Sequence, residues 1–220
     1  MFNHVLIMAA GRGRRMRPLT DKIPKAMAPL KGSTLIATRI KQISNYFNNI
    51  HITVGYKGPI LANHVIGLKV NSVFNTNNKG NSWWLYNTLM SKINEPILVL
   101  TCDNIFRIDF KKIYDEYINL KSPACLLIPV KPIENLRGDY IHYSSNNIIN
   151  MISKTKKTDL YCSGIQIMNP FKINCITNPT SNFISVWSQL IKKKQLKRSN
   201  FILKKWYAVD DLLQLKTVNI

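Results

Sequence analysis

Apolar residues along this chain follow two alternating spacings. Compact apolar runs at 4–10 (HVLIMAA), 50–56 (IHITVGY), 70–75 (VNSVFN), 96–104 (PILVLTCDN) and 124–130 (ACLLIPV) read as strands, the first and fourth solid enough to be buried. Between them, 34–47 (TLIATRIKQISNYF), 59–67 (PILANHVIG), 81–93 (NSWWLYNTLMSKI) and 110–120 (FKKIYDEYINL) carry apolar residues at helical spacing. Strands separated by helices imply right-handed parallel crossovers and a three-layer α/β domain. Ligands of such sheets collect beyond the carboxyl ends of the strands. The loop after the first strand and the TCDN end of the fourth should therefore share one cleft.

From about Arg137 the rhythm changes. RGDYIHY (137–143), NIINMIS (147–153) and LYCSGIQIMN (160–169) read as strands joined by short turns, an antiparallel lid over the cleft. A helix at 181–195, a strand at 200–209 (NFILKKWYAV) and a closing helix at 210–218, capped by Asp210 or Asp211, complete the chain. No internal repeat or low-complexity linker interrupts it. The expectation is one domain over 1–220, with a subdomain edge near residue 135 separating halves 1–135 and 136–220.

The 220 residues are 45% hydrophobic, enough for a sizeable core. No apolar run reaches the roughly 18 to 20 residues that span a bilayer. The N-terminus has no basic residue ahead of its apolar stretch, so it reads as a strand rather than a signal peptide. Cys102, Cys125, Cys162 and Cys175 lie far apart in apolar contexts, with no zinc spacing, as buried reduced thiols of a cytoplasmic protein would. The net charge of +20 comes from 31 basic residues against 11 acidic ones, with 23 lysines and 8 arginines dispersed along the chain. That is a solvated basic surface, which still steers anions such as nucleotides.

The first loop concentrates the chemistry. Gly11 and Gly13 are followed by Arg12, Arg14, Arg15, Arg17, Lys22 and Lys25. Glycines bring backbone N–H groups close to a phosphate, arginine adds a forked donor and lysine a point charge. The combination suits a triphosphate. Met16 stands where the dinucleotide fingerprint needs a third glycine, and the Walker Gly-Lys-Ser/Thr is absent, so neither of those loops is present.

The full string LIMAAGRGRRMRPLTDKIPKAMAPL (6–30) resembles the N-terminal signature of the sugar-1-phosphate nucleotidylyltransferases. LTCDNIF, RGDYI, YCSGIQIMNP and KWYAVDDLLQL follow in the order of that family's later motifs, so the resemblance covers most of the chain. It implies a Rossmann-like, GT-A-like α/β/α nucleotidyltransferase fold with a mostly parallel sheet. It also implies Mg2+ and the condensation of an NTP with a sugar 1-phosphate to an NDP-sugar and pyrophosphate. Carried over by position, Ala9, Ala10, Gly11 and Gly13 line the base and phosphates, and Arg15 and Lys25 take the places of the catalytic arginine and lysine. Arg12 and Arg14 fall at variable places and are expected at the surface. Asn78, Gly80, Asn81 and Ser82 are expected near the base or ribose.

Asp103 occupies the place of the family's metal aspartate. The second aspartate of a Trp-x-Asp motif is replaced by Ala208, so the metal relies on Asp103 and phosphates, or Asp210 or Asp211 reaches in; Asp210, two residues on from Ala208, is the missing ligand or a helix cap. On the acceptor side, Ser163 and Gly164 are expected against the substrate. Lys154 stands for a phosphate-binding lysine or a solvated one, and Asp139 for a hydroxyl acceptor or a turn residue. The Asn-rich segment before Trp83 and Trp84 is similar to that of phosphocholine cytidylyltransferases. The two tryptophans could face a quaternary amine by cation–π contact, or pack a helix on the sheet. The competing readings are a phosphocholine-type cytidylyltransferase and a non-catalytic nucleotide or nucleic-acid binder. No specific RNA or DNA motif is present, and the family's frequent oligomerisation leaves a homo-oligomer open.

Overall fold

The computed structural model describes residues 1–133 and 138–219. Arg137 and the edge expected near residue 135 lie outside them. The strands are β1 (His4–Met8), the short pair β2 (Pro29–Leu30) and β3 (Ser33–Thr34), β4 (Asn49–Val54), β5 (Ser72–Asn75), β6 (Ile97–Thr101) and β7 (Asn104–Phe106). They continue with β8 (Cys125–Val130), β9 (Tyr140–Tyr143), β10 (Ile149–Ser153), β11 (Tyr161–Met168), β12 (Leu196–Arg198) and β13 (Trp206–Ala208). The helices are α1 (Leu19–Lys22), α2 (Leu35–Ile43), α3 (Gly58–Ile66) and α4 (Trp83–Asn87), then α5 (Phe110–Asn119), α6 (Pro170–Ile176), α7 (Phe183–Lys192) and α8 (Leu212–Asn219).

Seven strands form the main sheet in the order β12-β8-β11-β6-β1-β4-β5, and the hairpin β9–β10 joins the start of β11. β1 pairs in parallel with β4 and β6, β5 with β4, and β12 with β8; of these seven strands, only β11 is antiparallel to both of its neighbours. The start of β11 consequently lies at the edge of the sheet where the other strands end. The antiparallel part is thus an extension of the same sheet.

Side-chain alternation makes the three layers. Val5 and Ile7 of β1, Leu98 and Leu100 of β6, and Leu126 and Ile128 of β8 enter one apolar cluster. Their neighbours Leu6, Ile97, Val99, Cys125 and Leu127 enter the cluster on the opposite face. Each fully buried aliphatic side chain contributes about 1.5–3 kcal/mol, and a sheet covered on both sides explains why these strands read as solid apolar runs. α2 begins where Thr34 accepts from the Ala37 N–H at 3.1 Å, and α5 where Asp109 accepts from Lys112 at 3.0 Å. Among the described residues no helix is long and apolar enough to cross a membrane.

Four expectations are corrected. The helix at 81–93 breaks at Thr88, whose hydroxyl accepts from Met90 N at 3.3 Å and starts a separate 3-10 turn, Leu89–Lys92. The strand expected at 200–209 is divided: Leu203 bridges Val130, the exposed Lys204 and Lys205 turn the chain, and Trp206–Ala208 pairs with β7 instead. The run after β11 holds an extra helix, α6, started by Asn169 and Pro170. Cys175 is exposed on that helix, whereas Cys102 and Cys125 are buried and Cys162 is half-buried; all four are free thiols.

Candidate active site

The first loop is built to present Arg15 and Lys25 to the ends of β1 and β6. Ala9, buried, donates its N–H to Thr53 O at 3.1 Å and so continues the sheet. Ala10 and Gly11 then line a cleft of about 320 Å³. Gly13 has φ +63, and a Cβ there would lie 2.8 Å from Lys25 Cβ, so this glycine lets the lysine stem pack against the loop. Met16 anchors the loop from below, buried with Ala28, Leu30, Val209 and Leu215. Arg12 stacks over Tyr56 at 5.0 Å, and Arg14 is exposed.

Two carboxylates meet these cations. Lys25 Nζ donates to Asp103 Oδ2 at 2.5 Å and to Asp210 Oδ1 at 2.8 Å. Arg15 takes the other oxygen of Asp210 at 3.0 Å. The convergence follows from pairing: β13 lies antiparallel to β7 with Ala208 opposite Asn104, and the next residue, Val209, donates to Asp103 O at 2.9 Å. Asp211, not Asp210, caps α8, accepting from Gln214 N at 2.8 Å. Asp210, two residues beyond Ala208, is thereby left to bond Lys25 and Arg15. Burial raises the Asp210 pKa, but Lys25 and Arg15 outweigh it and bring the carboxyl below its ordinary 3.8. Burial likewise lowers Lys25, and the two carboxylates more than restore it, above 10.5. Cys102 lines the same cleft, but burial pushes its pKa up to about 12 and leaves it a neutral thiol.

A second cavity of about 310 Å³ adjoins the first, and Met8, Asn81 and Thr101 belong to both walls. Asp139, Lys154 and Gly164 line it, as do Phe183 and Trp187, whose rings stack 5.9 Å apart. One oxygen of Asp139, Oδ1, is enclosed and has no hydrogen-bond partner among the described residues. Gly164 has φ +81, and a Cβ there would come within 2.8 Å of Asn104 Nδ2.

Of the remaining sequence-derived positions, Ser163 and Ser82 support these walls from behind, Gly80 and Asn81 line them, and Asn78 lies at the surface. Ser163 is buried; its hydroxyl donates to Ile128 O at 2.5 Å, and its carbonyl accepts from Asn104 Nδ2 at 2.6 Å and Trp206 Nε1 at 3.0 Å. Ser82 is also buried and donates through Oγ to Thr180 O at 2.8 Å. Gly80 lines the first cleft, and a Cβ on it would sit 1.7 Å from Ser181 O. Asn81 accepts from Phe183 N at 3.0 Å. Asn78 is exposed, with φ +58. The paired tryptophans do not line the second cavity: Trp84 is buried against Phe183 and walls the first cleft, and Trp83 lies under Lys79 at 5.5 Å. Lys79, Thr76 and Thr101 in the first cleft, and Phe183, Trp187 and Gln166 in the second, escaped the sequence reading. Only the helical spacing of Phe183 and Trp187 hinted at them.

Among the described residues no three His, Cys, Asp or Glu side chains converge. Asp103 and Asp210 nevertheless close on a single cation, the Lys25 ammonium, and two carboxylates completed by phosphate oxygens and waters are what magnesium ordinarily takes. The pair fits that ion. A larger open groove of about 1130 Å³ along α5 and residues 200–205 has no comparable convergence, and its Glu116 is held by Ser199 and the Asn200 N–H.

A model of the nucleotidyl transferase family matches residues 4–157. The chain is 31% identical over 167 residues, 73% of its own length, to the bifunctional protein GlmU of Methanococcus aeolicus, and spans 38% of that relative. It is 21% identical over 135 residues to the D-glycero-alpha-D-manno-heptose 1-phosphate guanylyltransferase of Aneurinibacillus thermoaerophilus, covering 59% of each chain. In fold it is similar to the CTP:phosphocholine cytidylyltransferase of Streptococcus pneumoniae, with TM-score 0.76, 19% identity and coverage of 100% and 98% of the two chains. With a family match over most of its length, and the fold to accompany it, this chain belongs to the nucleotidyl transferase family.

Proposed function

We propose that the protein transfers a nucleotidyl group from a nucleoside triphosphate to a sugar 1-phosphate, giving an NDP-sugar and pyrophosphate, with Mg2+ held by Asp103 and Asp210. The observation that carries this reading is the meeting of Arg15, Lys25, Asp103 and Asp210 beside the open backbone of Gly11. Four charges at one point of a basic chain suit a polyphosphate with its counter-ion.

In this reading the triphosphate lies along Ala10 and Gly11, the base against Gly80 and Asn81, and the acceptor in the second cavity near Asp139, Lys154 and Gly164. Its phosphate turns toward the shared wall. An acceptor phosphate oxygen forms a bond to the α-phosphorus while the bond from that phosphorus to the bridging oxygen breaks, and the electron pair leaves with pyrophosphate. No general base is needed, because a phosphate monoester is largely dianionic at neutral pH. The protein supplies position and charge: Lys25 neutralises the phosphates at the reaction centre, and Arg15 the departing pyrophosphate. Magnesium, when bound, neutralises and orients the phosphate oxygens.

A second reading keeps the chemistry and changes the acceptor to phosphocholine or a similar amino-alcohol phosphate. Phe183, Trp187 and the unpartnered Asp139 oxygen favour it, since aromatic faces and a carboxylate suit a quaternary amine. Pyrophosphate release from each of the four ribonucleoside triphosphates and dTTP, with a panel of sugar 1-phosphates and phosphocholine, separates the two. Release with none of them removes the enzyme reading. RNA binding without turnover, weakening steeply with salt, would establish a binding module in its place.

A further inference from the structure

We infer that Lys25 is the resident counter-ion of the Asp103–Asp210 pair, and must leave it for phosphate before a divalent cation can be held there. This rests on the reading of the two aspartates as metal ligands and adds an exchange of partners to it. Lys25 Nζ lies 2.5 Å from Asp103 Oδ2 and 2.8 Å from Asp210 Oδ1, and Arg15 Nη2 is 3.0 Å from Asp210 Oδ2. Three of the four carboxylate oxygens therefore already face a cation of the chain. A magnesium-like ion takes oxygens at about 2.0–2.1 Å and would occupy the space the ammonium fills. Both cannot be present.

Leaving is costly without a substrate. Lys25 is only 8% exposed, and its ammonium is held by the two carboxylates of Asp103 and Asp210. A buried ammonium lifted from its partners needs a new anion close by. The phosphates of a nucleotide, lying along Gly11, provide that anion. Gly13 fixes the lysine stem, with its Cα position open enough to bring Lys25 Cβ within 2.8 Å of a hypothetical Cβ, so the head can move while the loop stays in place. Metal and triphosphate then enter as a linked pair, each raising the affinity for the other.

The test is Mn2+ binding to the full chain without nucleotide, read from the electron paramagnetic resonance signal of free Mn2+. The proteins compared are the wild type, Lys25→Met, Lys25→Gln, Asp103→Asn and the double variant Lys25→Met/Asp103→Asn. Removing the competing charge is expected to tighten Mn2+ binding about tenfold or more in both lysine variants. The double variant should lose the gain, and Mn2+ should raise the Tm of Lys25→Met more than that of the wild type. Equal affinity in wild type and lysine variants, at a site that Asp103→Asn destroys, overturns the exchange and leaves the metal site standing. Binding that Asp103→Asn does not weaken, or no binding in any variant, overturns the exchange together with the metal reading.

Discussion

The backbone N–H of Val209 donates to the carbonyl oxygen of Asp103 across 2.9 Å. That bond joins Asp103, two residues past the end of β6, to the residue before Asp210, so two acids 107 positions apart in sequence become neighbours. The two-stranded ribbon β7–β13 is the frame for the charges in the cleft.

The two adjacent acids at the start of α8 should separate cleanly on mutation. Asp210→Asn removes a partner of both Lys25 and Arg15, and is expected to lower Mg2+-dependent turnover by about 10²-fold or more. Asp211→Ala removes only the cap on Gln214, and is expected to cost about 1 kcal/mol of stability with turnover retained. Steady-state kinetics and thermal melts on both variants check this. Full activity in Asp210→Asn would remove it as a ligand.

Gly80→Ala should be poorly tolerated. The added Cβ would lie 1.7 Å from Ser181 O, a backbone atom, so one of the two loops has to shift. We expect a loss on the order of 1–3 kcal/mol and weaker nucleotide binding, measured by chemical denaturation and by calorimetry with nucleotide. An unchanged Kd would show that the loop does not shape the first cleft.

Truncating the aromatic wall should act on the acceptor alone. Phe183→Ala and Trp187→Ala open the second cavity, and are expected to raise KM for the acceptor about tenfold or more with KM for the nucleotide nearly unaltered. Equal rises in both would place these rings in the framework instead.

Acid should weaken the protein through His51, far from the cleft. Its ring is buried, its Nδ1 pairs with Ser72 Oγ at 2.7 Å, and its Nε2 meets His4 Nδ1 at 2.9 Å. Burial, then the neighbouring His4, lower its pKa from 6.5 to about 4. The folded state therefore favours neutral His51. Its stabilisation is complete above pH 6.5 and is lost as pH falls toward 4, on the order of 2–3 kcal/mol over that range. Urea midpoints at pH 7.5 and pH 4.5, compared with His51→Gln, read this directly. An equal acid loss in the variant would assign the effect elsewhere.

Most of the sheet was legible because a strand covered on both faces must be apolar throughout, as β1 and β6 are. Arg15, Lys25 and Asp103 were legible because the loop is one contiguous string and Asp103 closely follows the solid apolar run of β6. Asp210 was only half legible: its separation from Trp206 was plain, but the cap that frees it is a contact between Asp211 and Gln214. Ser82 and Ser163 read as cleft residues because the partners of their hydroxyls, Thr180 and Ile128, lie 98 and 35 residues away. Phe183 and Trp187 were hidden for another reason. A helix stripe that walls a cavity has the same spacing as one that packs on a sheet.

Asn81 grips the first residue of α7 with its side chain and borders both cavities at once. In the proposed reading, choice of base and choice of acceptor are therefore written partly on the same amide. Anyone re-engineering one preference will perturb the other, and variants selected for a new nucleotide will have to be re-screened against every acceptor.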